Sequence, residues 1–123
     1  MKRILVADDK ASSRELIRVV LEHSGYRVDE AADGAEALDQ ALAHQPDLLL
    51  LDLQMPKLDG FTVLAELRKQ EPFARRPIVA LTAYAMQGDR EKALEAGFTS
   101  YVTKPVNLAE LRRHIAELLA STA

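Results

Sequence analysis

Five polar residues stand directly behind short apolar runs. Asp8 and Asp9 follow Ile4–Ala7, Asp52 follows Leu48–Leu51, Thr82 follows Ile78–Leu81, and Lys104 follows the segment Ser100–Thr103. Any one of them would pass as a helix cap or a turn residue. Taken together they describe a chemistry. Three carboxylates gathered in one place repel one another and raise one another's pKa. The Lys104 ammonium offsets part of that charge, and a divalent cation offsets more. An all-oxygen donor set suits Mg2+, Mn2+ or Ca2+, and there is no EF-hand pattern in the chain. A partly hydrated Mg2+ held by two carboxylates can also grip a phosphoryl oxygen, leaving a carboxylate free to attack phosphorus. Lys104 and Thr82 would then neutralise and hydrogen-bond the remaining phosphoryl oxygens.

That chemistry requires elements that bring the five residues to one edge. The runs Ile4–Ala7, Leu48–Leu51 and Ile78–Leu81 are continuous rather than alternating, as in strands covered on both faces. Tyr26–Ala31 and Ser100–Thr103 are weaker strand candidates. Helical spacing fills the gaps. Ser12-x-x-Glu15 reads as a capping box, followed by Leu16, Ile17, Val20 and Leu21 on one face up to Gly25. Asp33-x-x-Glu36 opens a second helix, with Ala37, Leu38, Ala41 and Leu42 inward. Phe61, Leu64 and Leu67 mark a third. A fourth runs from Met86 to Ala96 and closes at Gly97, on a thin face of Ala93, Leu94 and Ala96. Leu108, Leu111, Ile115 and Leu118 mark a fifth. Strand and helix thus alternate five times, which implies an α/β fold with a five-stranded parallel sheet and helices on both faces. The flavodoxin-like doubly wound order 2-1-3-4-5 fits, and it places ligands beyond the carboxyl ends of the strands, between the first and third. Those ends are where the five polar residues stand.

Composition narrows the class. At 123 residues the chain is expected to form a single domain spanning 1–123. Hydrophobic residues make up 48% and charged residues 28%, ordinary for a globular protein. There is no cysteine, which excludes disulfides, thiolate zinc sites and cysteine nucleophiles. Sixteen basic against nineteen acidic residues give a net charge of -3, which argues against nucleic acid as the main partner. The longest apolar run is four residues, too short to span a bilayer or to form a signal-peptide core. A cytoplasmic location is the expectation. His23, His44 and His114 sit on helix faces or near helix C-termini, where the dipole favours them, and are expected to be structural.

The motifs in order resemble a known family. The acidic pair Asp8-Asp9, the segment Asp52-Leu53-Gln54-Met55-Pro56 with Asp59-Gly60 behind it, Leu81-Thr82-Ala83, Ala96-Gly97, and Tyr101 three residues before Lys104-Pro105 are similar to those of response regulator receiver domains of two-component signalling. The resemblance runs from Lys2 to about Leu119. It implies that Asp52 accepts a phosphoryl group and that Asp9, Asp52 and the backbone carbonyl of Gln54 ligate Mg2+, with Asp8 acting through a metal-bound water. It implies further that Thr82 and Lys104 contact the phosphoryl group, that Tyr101 changes rotamer together with Thr82, and that the Lys104–Pro105 peptide is cis. Lys10 stands where many members carry a polar or acidic residue, which implies a somewhat lower cation affinity. The resemblance implies that Gln54 and Tyr84 border the approach of the hydrolytic water. Tyr84 is bulky and is expected to shield the acyl phosphate.

The function implied is a switch that takes a phosphoryl group from a histidine kinase or a histidine phosphotransfer protein and passes the signal to a downstream protein. It would act through the fourth helix, fifth strand and fifth helix. It would not be an enzyme beyond its own phosphorylation and dephosphorylation. Met1 directly before the first strand permits a stand-alone regulator, and the tail Ala120–Ala123 equally permits a domain cut from a hybrid histidine kinase or a DNA-binding regulator. A reading of another class is a Mg2+-dependent aspartyl phosphohydrolase. That chemistry usually places a general acid two residues after the nucleophile. Here that residue is Gln54, and no cap insertion encloses a substrate.

Overall fold

Leucine, isoleucine, valine and alanine fill the three central strands, and their alternation divides the interior into two layers. The computed structural model describes residues 1–83 and 89–121. In chain order the elements are β1 (Arg3–Ala7), α1 (Ala11–His23), β2 (Arg27–Ala31), α2 (Gly34–His44), β3 (Leu48–Asp52), α3 (Gly60–Arg68), a short 3-10 turn (Glu71–Phe73), β4 (Ile78–Thr82), α4 (Asp89–Ala96), β5 (Ser100–Thr103) and α5 (Leu108–Ser121). All strand pairs are parallel, in the order β2-β1-β3-β4-β5. The doubly wound expectation therefore holds.

One core layer packs Ile4, Val6, Leu48, Leu50, Val79 and Leu81 of the sheet against Ile17 and Leu21 of α1 and Leu111, Ile115 and Leu119 of α5. The other packs Leu5, Leu49, Leu51 and Ile78 against Ala37 and Ala41 of α2, Val63, Leu64 and Leu67 of α3, and Phe73 and Phe98. Burying each such large side chain contributes about 1.5–3 kcal/mol. By that measure α4 is weakly held. Among its described residues Ala93 is the buried one, while Leu94 is 40% exposed and Ala96 lies outward. The expected start of this helix at Met86 falls outside the described residues. No helix among the described residues is long and apolar enough to cross a membrane.

Several local expectations are corrected. Helix α1 begins at Ala11 after Lys10, whose side chain makes no cap, so Ser12 lies inside the first turn and there is no capping box. The cause is upstream. The Asp8 carboxylate accepts the Lys10 N–H at 2.9 Å, and this turn starts the helix early. Leu16 is 60% exposed and Leu42 43% exposed rather than inward. A helix lying on a sheet buries a narrow stripe. Ile17 with Leu21, and Ala37 with Ala41, fill those stripes and leave the flanking leucines at the rim. Asp33 does cap α2, accepting the Glu36 N–H at 2.8 Å, while Glu36 reaches back to the Ala32 N–H. The stops at Gly25 and Gly97 are as expected, both with positive φ.

Arg68, at the end of α3, holds the far side together. It donates to the carbonyls of Gly97, Phe73 and Arg76 at 2.7–3.1 Å and to the Thr99 hydroxyl at 3.2 Å. Burial pulls its guanidinium below the usual pKa range. Arg68→Ala would take the guanidinium from three carbonyls at once, while the Thr99 hydroxyl keeps the Ile78 N–H. The substitution is expected to lower stability by about 2–4 kcal/mol in urea denaturation. An unchanged midpoint would mean that water replaces all of these bonds.

Candidate functional site

At the carboxyl edge of the sheet, β1 and β3 run side by side, with Ala7 opposite Leu51, so the residues after them face one another. Asp8 and Asp52 are buried there at 0% and 5% exposure, and Thr82, the last residue of β4, at 3%. Lys104 enters from beyond β5. Its backbone N–H binds the Thr82 carbonyl at 2.7 Å, and the Lys104–Pro105 peptide is cis. Its Nζ donates to Asp52 Oδ2 at 2.7 Å and lies 2.9 Å from Asp8 Oδ2.

Each carboxylate has one oxygen held by the backbone two residues on. Asp8 Oδ1 accepts the Lys10 N–H and Asp52 Oδ1 accepts the Gln54 N–H, both at 2.9 Å. The second bond also folds Gln54 back over the acidic edge. Asp8 Oδ2 is buried, and its ion pair with Lys104 is not a formed hydrogen bond.

The electrostatics separate the two buried acids. Burial pushes the Asp52 carboxyl up. The Lys104 ammonium and the Gln54 N–H oppose this without overcoming it, and the neighbouring Asp8 charge adds to it. Burial also acts upward on Asp8, but the Lys104 ammonium, the Lys10 N–H and the Ser13 hydroxyl outweigh it and hold that carboxyl below its usual range. Burial works against the Lys104 ammonium. The two carboxylates win and hold its pKa above the ordinary lysine value.

Asp8, Asp9 and Asp52 each offer an oxygen within 4.8 Å of the other two. Asp9 is exposed, so this arrangement is open to solvent on one side. Three clustered carboxylates, two of them on one ammonium and one with a buried oxygen lacking a hydrogen bond, fit a hard divalent cation that keeps some of its water.

The five residues singled out by spacing thus share one edge. Tyr101 sits half-buried on β5, paired with Ala80 and packed against the core layer of α2 and α3. Tyr84 lies outside the described residues. His23 and His44 are exposed, and His114 pairs with the Ser100 hydroxyl on the face of β5 and α5, away from the acids. Spacing did not single out Ser13 or Arg14, which touch Asp8 from α1. Arg14 Nη1 donates to the Asp8 carbonyl at 2.7 Å. A polar residue in the first turn of a helix is too common to have flagged either.

The sequence profile of the response regulator receiver domain matches residues 4–116. The chain is 36% identical over 107 residues to the polar-differentiation response regulator DivK of Brucella ovis, covering 87% of each. It is 39% identical over 122 residues to the DNA-binding dual master transcriptional regulator RpaA of Synechocystis sp., a match that takes in 99% of the chain and 51% of RpaA. The chain therefore spans about half the length of that relative. Its structure superposes on the receiver domain of the Francisella response regulator 1452 with a TM-score of 0.93, at 32% identity, over 100% of both chains. It also superposes on the receiver domain of a sensor histidine kinase from Pseudomonas aeruginosa PAO1, with a TM-score of 0.88, 40% identity, and coverage of 97% and 98%. That second structure carries a magnesium ion coordinated in its active site cleft.

Proposed function

The chain belongs to the response regulator receiver domain family, and from that premise we propose that it is a switch that takes a phosphoryl group onto Asp52 from a phosphohistidine protein. Receiver domains are regulatory signalling domains rather than classical enzymes, and they bind Mg2+ at an acidic pocket. The observation that carries the reading is the Lys104 ammonium, 2.7 Å from one buried carboxylate and 2.9 Å from a second, with Asp9 completing an oxygen cluster beside them. A structural ion pair needs one carboxylate; here a single ammonium meets two buried ones, with a third acid within 4.8 Å of both.

In the transfer, a carboxylate oxygen of Asp52 attacks phosphorus. The new O–P bond forms as the donor's N–P bond breaks, and the imidazole nitrogen keeps the electron pair. Asp52 suits this role because its Oδ1 is fixed by the Gln54 N–H. The Lys104 ammonium, now on Asp52, moves its contact to a phosphoryl oxygen, and the Thr82 hydroxyl donates to another. Asp9, Asp52 and the Gln54 carbonyl would hold the Mg2+ or Mn2+ ion, with Asp8 acting through a water, and the bound cation supplies charge neutralisation at the phosphoryl oxygens. Its removal by EDTA is expected to stop uptake.

The two acids of the pair differ in what their loss does. Asp8→Ala removes a carboxylate but also frees Lys104 from half of its pairing. Asp9→Ala removes a solvent-facing ligand and nothing else. Asp9→Ala is therefore expected to weaken Mg2+ binding more than Asp8→Ala in a calorimetric titration. The reverse order would exchange their roles.

The output follows from the weak anchoring of α4. An element held by few apolar contacts is the one that a small bias can move. Beside it lies a groove of about 650 Å3 lined by Arg90 of α4, Tyr101 and Thr103 of β5, and Glu110, Arg113 and His114 of α5. We assign the downstream protein to this face. The test is amide exchange with and without acetyl phosphate in the presence of Mg2+. Changes are expected in α4, β5 and α5. Changes confined to α1 would place the output elsewhere.

A further inference from the structure

We propose that Arg14, aimed by Glu30, is a positioning residue for the acidic pair: it fixes the peptide from which Asp8 and Asp9 both hang. This inference rests on the reading of the pair as the cation-holding half of the site. A peptide unit is planar, so the Asp8 carbonyl and the Asp9 N–H belong to one rigid plate joining the two Cα atoms. With the Asp8 N–H already held by β2, fixing that carbonyl sets ψ at Asp8 and the position of the Asp9 Cα, which leaves φ as the one backbone torsion between the plate and the Asp9 side chain. The plate lies one residue beyond the end of β1, where the ladder no longer holds it. The Asp8 N–H still reaches the Ala31 carbonyl of β2 at 3.1 Å, which secures the near side. The far side is secured by Arg14 Nη1 on the Asp8 carbonyl at 2.7 Å.

The guanidinium is itself held. Arg14 Nε donates to Glu30 Oε1 at 3.0 Å, and the other oxygen of Glu30 lies 3.0 Å from Arg18 Nε, one turn further along α1. Two arginines of α1 thus grip one carboxylate of β2, and the fork of the first reaches the acidic peptide. The Arg14 side chain is 18% exposed, so water competes weakly for these bonds. A planar fork can address two acceptors in fixed directions, which an ammonium cannot do. Asp9 gains most, because it is exposed and the plate is what aims it.

Charge and geometry predict opposite signs, which makes the inference testable. Arg14 brings a positive charge near a cation site, so on electrostatics alone its removal would tighten cation binding. If it positions the pair, removal loosens binding, as happens when groups that orient metal ligands are lost. Mn2+ alone is titrated into the full chain by electron paramagnetic resonance at 10 °C, with thermal unfolding followed in parallel. Arg14→Ala is expected to weaken Mn2+ binding by roughly ten-fold. Arg14→Lys, which keeps the charge and loses the fork, is expected to weaken it by a similar factor while remaining folded. The 15N-amide resonance of Asp9 should shift in both variants before metal is added. A folded Arg14→Lys that binds Mn2+ as the unaltered protein does, or an Arg14→Ala that binds it more tightly, overturns the inference and leaves the cation site standing. Absence of binding in the unaltered protein overturns both.

Discussion

Asp52→Asn is expected to take up no phosphoryl group from acetyl phosphate and Mg2+, whereas the unaltered chain is expected to gain one, read by intact mass. The expected loss is roughly a thousand-fold or more, the scale on which removing a nucleophile acts. The reason is electronic, since an amide oxygen cannot form the acyl phosphate that a carboxylate forms. The substitution leaves the fold in place. Asn is isosteric, and its oxygen can still accept the Gln54 N–H, while Lys104 keeps Asp8 at 2.9 Å. The unfolding midpoint is expected to stay within a few degrees of the parent, or to rise, because burial disfavours the charge at this position. Labelling of Asp52→Asn at the parental rate would remove Asp52 from the acceptor role. Labelling at another carboxylate, located by fragmentation, would point to Asp9, the exposed member of the cluster.

The sequence exposes Asp52 and its neighbours because of where parallel strands end. A strand buried on both faces must be apolar throughout, so its first polar residue marks its carboxyl edge. That is why Asp8, Asp52 and Thr82 could be located without coordinates. The edge strands were harder. In β2, Arg27, Asp29 and Glu30 break the apolar run because one side of that strand meets solvent and ion pairs, such as Arg3 with Asp29 at 2.7 Å. Periodicity located the helices but not the width of their buried stripe, which misplaced Leu16 and Leu42. The Ser12–Glu15 spacing mimicked a capping box because a cap pattern carries no information about a turn begun by Asp8. Arg14 and Arg68 left no trace. Their main acceptors are backbone carbonyls, which every residue has, and Arg14 finds Glu30 sixteen positions away only through the packing of α1 on β2.

Gly34→Ala is expected to be among the most damaging single-methyl additions in this chain. Helix α2 starts at Gly34 against the loop that leads from Asp52 to α3. A Cβ there would lie 1.8 Å from the Leu58 carbonyl oxygen and 2.6 Å from its carbon. The obstacle is backbone, so no rotamer change relieves it. The loop is also pinned to this spot. The Gly34 N–H binds the Pro56 carbonyl at 3.2 Å, the Leu58 N–H binds the same carbonyl at 2.8 Å, and Lys57 lies 3.4 Å from Asp33 with φ at 69°. Making room means breaking these bonds or moving the end of α2, at a cost of about 3 kcal/mol, the upper part of the range for overpacking. For a domain of this size that corresponds to a drop of about 10 °C in Tm. Gly25→Ala is the control. Its Cβ would meet nothing within 4 Å, and the penalty comes only from a φ of +96°, about 1 kcal/mol. Calorimetry should rank Gly34→Ala well below Gly25→Ala. Because the displaced loop begins at the residue after Asp52, Gly34→Ala should also slow phosphoryl uptake in the fraction that remains folded. Equal Tm values for the two variants would mean that the Leu58 loop yields freely and that α2 does not hold the segment carrying Gln54.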